Sequence, residues 1–207
     1  MIVFIGPDGS GKTTIAKLVA KGLQKDGEKV DFFELNYGIL PRFRDIAGFF
    51  LRRKVGITHT PGEQYAGMRG RPNIQLRATI YMLWYGLDYF IGRFKYPASK
   101  PKRSIIFARF VYDYAYQRAY SRAPRKIYFI MRILAPKPDL IFTILRDAED
   151  IFKGKPELTV EEIKRQQDNI NALLNGNPCF HILDGNIGIQ ATVMRALELI
   201  TQQQKLK

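Results

Sequence analysis

Near the amino terminus an apolar run, Ile2-Val3-Phe4-Ile5, passes directly into Gly6-Pro7-Asp8-Gly9-Ser10-Gly11-Lys12-Thr13-Thr14, and a helical pattern begins at once thereafter. Glycines in that turn let the main chain curl until several N–H groups point inward, and the positive end of the following helix adds to the same focus. Such a turn cradles phosphate. The spacing Gly6, four residues, Gly11, Lys12, Thr13 assigns further roles. Lys12 reaches the outer phosphates of a nucleoside triphosphate, and the Thr13 hydroxyl holds a magnesium ion. The expected cofactors are therefore ATP and magnesium.

The rest of the chain alternates short β-rich runs with longer helical ones, which implies a parallel sheet with helices on both faces. Five strands are expected, at Ile2 to Ile5, Lys29 to Leu35, Ser104 to Ala108, Leu140 to Leu145 and Phe180 to Leu183, each apolar enough to be buried on both sides. Ile15, Leu18, Val19 and Leu23 recur at helical spacing, as do Val160, Ile163, Ile170, Leu173 and Leu174, so both sets are expected to face the core. Thr159 with Glu162 forms a capping box, and Asp147 with Asp150 offers the same arrangement to the preceding helix. The expected fold class is α/β, a P-loop NTPase fold with a five-stranded parallel sheet flanked by helices on both faces.

A chain of 207 residues without a Pro/Gly/Ser-rich linker or low-complexity stretch reads as one domain. The single cysteine, Cys179, excludes an internal disulfide. The amino terminus lacks a basic region followed by a cleavable apolar run, and both features favour the cytoplasm. The longest apolar stretches, Ile80 to Ile91 and Ile127 to Leu134, are interrupted by Asp88 and Arg132 and are too short to span a bilayer, so no membrane partner is expected. Charge is the unusual property. The chain has 33 basic and 19 acidic residues, a formal +14, and Asn36 to Lys102 holds twelve of the former against three of the latter. That stretch either meets something anionic or forms a solubilising surface.

No Asn is followed by Lys, which counts against the guanine-reading loop of a GTPase. The size suits a small kinase. Over nearly its whole length the chain resembles the thymidylate kinase family of nucleoside monophosphate kinases. The resemblance is carried by Phe4 to Thr14, by Thr58-His59-Thr60-Pro61-Gly62 in the position of a Thr-Arg-Glu-Pro-Gly turn, and by Ile105-Ile106-Phe107-Ala108-Arg109-Phe110 with Ala115-Tyr116-Gln117 downstream. It continues through Pro138-Asp139-Leu140 to Lys153-Gly154-Lys155-Pro156-Glu157-Leu158.

The resemblance implies phosphoryl transfer from ATP to a nucleoside monophosphate, with dTMP converted to dTDP as the leading reaction, small nucleotides as partners and a homodimer as the family's common state. It also implies a nucleotide-monophosphate-binding region over about 36–102 and a lid over about 147–160. Arg109 would clamp the acceptor phosphate. Lys153 and Lys155, on a loop with Gly154 as hinge, would close over the transferring group. Trp84 or Tyr85, on a helix from Arg77 to Phe94, would stack on the base or else pack in the core. Among Tyr112, Asp113, Tyr116 and Gln117, a polar side chain such as Asp113 or Gln117 would meet a base edge, although Asp113 suits a helix cap equally. Four positions depart from the family pattern: His59, Thr60, Ala108 and Gly154 stand where it has Arg, Glu, Asp and Arg. With Ala108 a carboxylate is lost, for which Asp8 or Asp113 would compensate through water. Two alternatives stand beside this reading, a related kinase for another small acceptor and a degenerate ATP-binding protein that holds nucleic acid or another polyanion on its basic stretch.

Overall fold

Strands and helices alternate along the chain in the computed structural model, which describes residues 1–41, 74–97, 103–117 and 123–205. In chain order these are β1 (Ile2–Ile5), α1 (Lys12–Lys25), β2 (Lys29–Phe33), α2 (Ile74–Lys95), β3 (Arg103–Phe107), α3 (Asp113–Tyr116), α4 (Arg125–Leu134), β4 (Leu140–Leu145), α5 (Ala148–Gly154), α6 (Val160–Leu174), β5 (Phe180–Asp184) and α7 (Ile189–Lys205). The strands form one sheet in the order β2-β3-β1-β4-β5, every neighbouring pair parallel. This is the α/β P-loop NTPase fold. Strands β1 and β4 have the expected bounds, while β2 stops at Phe33, β3 starts one residue earlier and β5 runs on to Asp184.

Successive side chains of a strand point to opposite faces, and that alternation divides the core. Val3, Ile5, Ile105, Phe107 and Ile141 lie on one face, packed with Met82, Tyr85 and Tyr89 of α2 and Met131 of α4. Ile2, Phe4, Ile106, Phe142 and Ile144 lie on the other, against Ile15, Val19 and Leu23 of α1 and Ala196 and Ile200 of α7. Burial of both faces holds for the central strands only. β2 is exposed at Lys29 and half-buried beyond it, and β5 buries only Leu183, because each is an edge strand with a neighbour on one side alone. Leu18 is 36 % exposed, since Lys12, Ile15, Ala16, Val19, Ala20 and Leu23 already fill the inward side of α1.

Helix α2 sets Met82, Tyr85 and Tyr89 inward, while Leu76, Ile80, Leu83, Leu87 and Phe94 stay exposed on the outward side. Asp88 belongs to the inward side and is 0 % exposed. Its carboxylate accepts the N–H groups of Gly38, Ile39 and Leu40 at 3.1, 2.7 and 2.8 Å. Those bonds offset the cost of burying the group and fix the path of the chain just past β2. Thr58 to Gly62 and most of the basic 36–102 stretch lie outside the described residues. Among the described residues no helix is long and apolar enough to cross a membrane.

The helix starts are formed differently from the sequence expectation. Thr159 Oγ1 accepts the Glu162 N–H at 3.3 Å, but the Glu162 carboxylate takes Arg165 and Gln166 on its own helix. Asp147 occupies the cap position of α5 without a side-chain capping bond.

Candidate functional site

In an open parallel sheet, ligands bind beyond the carboxyl ends of the strands where the winding reverses. Here that point involves β1 and β3, which pair directly through Ile2 with Ile106 and Val3 with Phe107. The turn after β1 and the loop after β3 therefore emerge side by side. The turn is built on Gly6, Gly9 and Gly11, with φ of 146°, 89° and 89°. At Gly9 space is also decisive, since a Cβ there would meet Ile151 Cγ2 at 3.0 Å and Lys155 Cβ at 3.2 Å, at the end of α5. Gly11 caps α1 without a side chain, so the positive end of a 14-residue helix is left for an anion in the turn. Ser10 is fully buried, and its Oγ has no partner among the described residues. Thr13 is half-buried and Thr14 exposed in the first turn of α1.

Lys12 is only 3 % exposed. Its ammonium donates to the Pro7 carbonyl and to Asp8 Oδ1, both at 3.0 Å. Arg109, beyond β3, donates from Nη2 to the same Asp8 oxygen at 2.5 Å. One carboxylate thus holds the two cations together. Burial pushes the Asp8 carboxyl up, but Lys12 and Arg109 outweigh it and leave it below the usual carboxylate range. Burial likewise draws the Lys12 ammonium down, with Asp8 opposing.

Asp113 shows the opposite outcome. It is 3 % exposed, and burial raises its carboxyl to about 6 although Lys12 and Arg109 pull the other way. Both cations bond to Asp8 rather than to Asp113, so desolvation wins at Asp113. Asp113 Oδ1 accepts the Tyr116 hydroxyl at 2.5 Å, and its Oδ2 is buried with no partner among the described residues. Tyr116 continues to the glycine turn, its hydroxyl lying 3.1 Å from both the N and the O of Gly6. As a cap the expectation for Asp113 fails, because Tyr112 holds the cap position of α3 and Asp113 is its first residue.

Asp8, Lys12, Arg109, Asp113 and Lys155 gather at this rim, with Lys155 close enough to help depress the Asp8 carboxyl. Other expected residues lie elsewhere. Lys153 is 75 % exposed, in the last turn of α5, and reaches Asp150 at 3.5 Å. Gly154 is not a loop hinge: the Lys155 N–H bonds the Ile151 carbonyl at 2.9 Å and carries the helix through it. The Trp84 indole N–H donates to the Pro41 carbonyl at 3.0 Å. Tyr85 is buried in the core, its hydroxyl donating to that of Tyr81 at 2.9 Å. Gln117 is buried at the end of α3.

Sequence reasoning missed the anchorage of the turn by Tyr116, although the Asp113-to-Tyr116 interval of three is a helical side-chain pairing. It also missed Arg165, which donates from α6 to the Tyr116 carbonyl at 2.9 Å, a bond that no sequence pattern announces. As for magnesium, Thr13 and Asp8 supply oxygen donors, and this hard cation needs only one or two protein oxygens beside phosphate and water. The residues fit the ion.

Among protein families, the one described as ATPase family associated with various cellular activities (AAA) matches residues 2–52. That match begins with β1, the glycine turn, α1 and β2 and stops before α2. No curated protein matches the chain. Sheet order, turn geometry and family match agree on one description: the chain is built on the P-loop NTPase fold, with the glycine turn that follows its first strand running from Gly6 to Thr13.

Proposed function

We propose that the protein is an ATP- and magnesium-dependent phosphotransferase whose acceptor is a nucleoside monophosphate, dTMP before others. The observation that supports this most is the convergence of Arg109 on Asp8 and Lys12, which puts a second cation beside the phosphate loop. In the reaction an oxygen of the acceptor phosphate bonds to the γ-phosphorus, the bond from that phosphorus to the ADP oxygen breaks, and ADP leaves. The protein supplies alignment and positive charge rather than covalent chemistry. Lys12 neutralises the outer phosphate oxygens. Arg109 spans donor and acceptor phosphates, and Asp8, their counter-ion without nucleotide, gives way. Lys155 adds charge at the rim. Thr13, with Asp8 through water, would hold the magnesium ion, which neutralises phosphate charge when bound. A homodimer and a cytoplasmic location belong to the same reading.

The test is a panel of nucleoside monophosphates with ATP and magnesium, read by ADP release. One strongly preferred acceptor, dTMP, is expected, and a flat panel overturns the proposal. A second reading, plain ATP hydrolysis, draws support from the AAA match over residues 2–52. It requires ADP release at the same rate with and without any monophosphate.

A further inference from the structure

Gly6 opens the nucleotide-binding loop, and its peptide groups are held by one hydroxyl that comes from 110 positions away. Tyr116 is fully buried, and its oxygen lies 3.1 Å from Gly6 N, 3.1 Å from Gly6 O and 2.5 Å from Asp113 Oδ1. A hydroxyl has one proton to give and two lone pairs that accept. With Asp113 ionised, the proton goes to the carboxylate and the Gly6 N–H is accepted, which leaves the Gly6 carbonyl facing a lone pair. With Asp113 protonated on Oδ1, the acid donates to Tyr116, Gly6 N–H donates to Tyr116, and the phenolic proton goes to the Gly6 carbonyl. Only the second arrangement satisfies all three contacts. A proton on Oδ2 would have no acceptor among the described residues, because that oxygen is buried without a partner.

We propose that Tyr116 is a proton-switched positioning residue of the phosphate loop, bonded to the Gly6 carbonyl when Asp113 carries a proton and drawn away when it does not, so that nucleotide binding takes up a proton at Asp113. The proposal rests on the reading of residues 6–13 as a nucleotide-binding loop. Charged and titratable groups from several elements face Asp113. Lys12 of α1, Arg109 beyond β3 and the Tyr116 hydroxyl favour the ionised form, while burial and Asp8 favour the acid. Tyr89 of α2 faces it as well, and Arg165 of α6 holds the Tyr116 carbonyl. The balance puts its titration at about 6, within reach of neutral pH. A nucleotide phosphate on Lys12 and Arg109 weakens their pull on Asp113, and the proton is then held more tightly.

MgADP titrated calorimetrically from pH 5.5 to 8, in buffers of differing ionisation enthalpy, counts protons directly. The wild-type chain should take up a fraction of a proton between pH 6 and 7.5 and bind more tightly as pH falls. Asp113→Asn should lose that uptake, retaining only what MgADP itself contributes, and bind with little pH dependence, because its amide donates to Tyr116 as the protonated acid does. Tyr116→Phe should bind roughly two- to tenfold more weakly, the worth of one hydrogen bond. An unchanged proton count in Asp113→Asn overturns the proposal, and this variant suffices if Tyr116→Phe does not fold. Failure of the wild-type chain to bind MgADP at any pH would instead sink the nucleotide-binding reading, and this one with it.

Discussion

Asp8 holds Lys12 and Arg109 through one oxygen, so an arriving phosphate competes with a group already in the loop. Asp8→Asn should therefore bind magnesium-free ADP more tightly, by roughly tenfold, since a charge-assisted bond is worth about 1.5–3 kcal/mol. It should also melt at a lower temperature, with the buried Lys12 and the half-buried Arg109 left facing each other; equal affinity in a titration would show that Asp8 does not compete. Lys12→Ala should abolish both ADP binding and the thermal shift that ADP produces, and a retained shift would remove Lys12 from the grip. Lys12, Asp8 and the glycines were legible because a short motif contains them. The position of Arg109 beside that turn was legible because it follows the end of β3. Tyr116 was not, because its partner at Gly6 is decided by the packing of α3 against the turn, and local spacing carries no trace of that.

For the elements, legibility followed burial. β1 and β4 read correctly to the residue because each has a strand on either side and all of their positions but Thr143 are apolar, whereas for β2 and β5 the expected burial on both sides fails because an edge strand's exposure depends on what fails to pair with it. Asp88 illustrates a signal noticed but read only in part. In the sequence it interrupts an apolar helix and argues against a membrane span; in the fold it gathers the amides of Gly38, Ile39 and Leu40. Asp88→Ala should leave three N–H groups without their acceptor and cost about 3 kcal/mol or more in a urea melt, with faster hydrogen exchange at residues 38–40. A loss below about 1 kcal/mol would mean that water replaces the carboxylate freely. By contrast, Thr159→Ala removes one capping bond at the start of α6 and should cost about 1 kcal/mol in the same measurement.

At the scale of the whole molecule, two carboxylates at one site oppose each other in pH. Asp8 is depressed, so its contribution to stability is present above its usual value of 3.8 and is lost as pH falls through its lowered range. Asp113 is raised, so its contribution is complete below 3.8 and is lost as pH rises through about 6. The second effect is on the order of 3 kcal/mol at most, by about 1.4 kcal/mol per pH unit. Denaturant melts of the wild-type chain minus those of Asp113→Asn should isolate it as a difference that declines from pH 4 to 7, and a flat difference would contradict the burial argument. The formal +14 makes a separate prediction. If the basic stretch serves a nucleic acid, binding must fall steeply with salt on logarithmic axes; a solubilising surface gives no such line. Finally, the close approach of Gly9 to Ile151 and Lys155 ties the phosphate turn to the end of α5. Residues 155–159 join α5 to α6, so a displacement of that connection would be transmitted first to the main chain at Gly9.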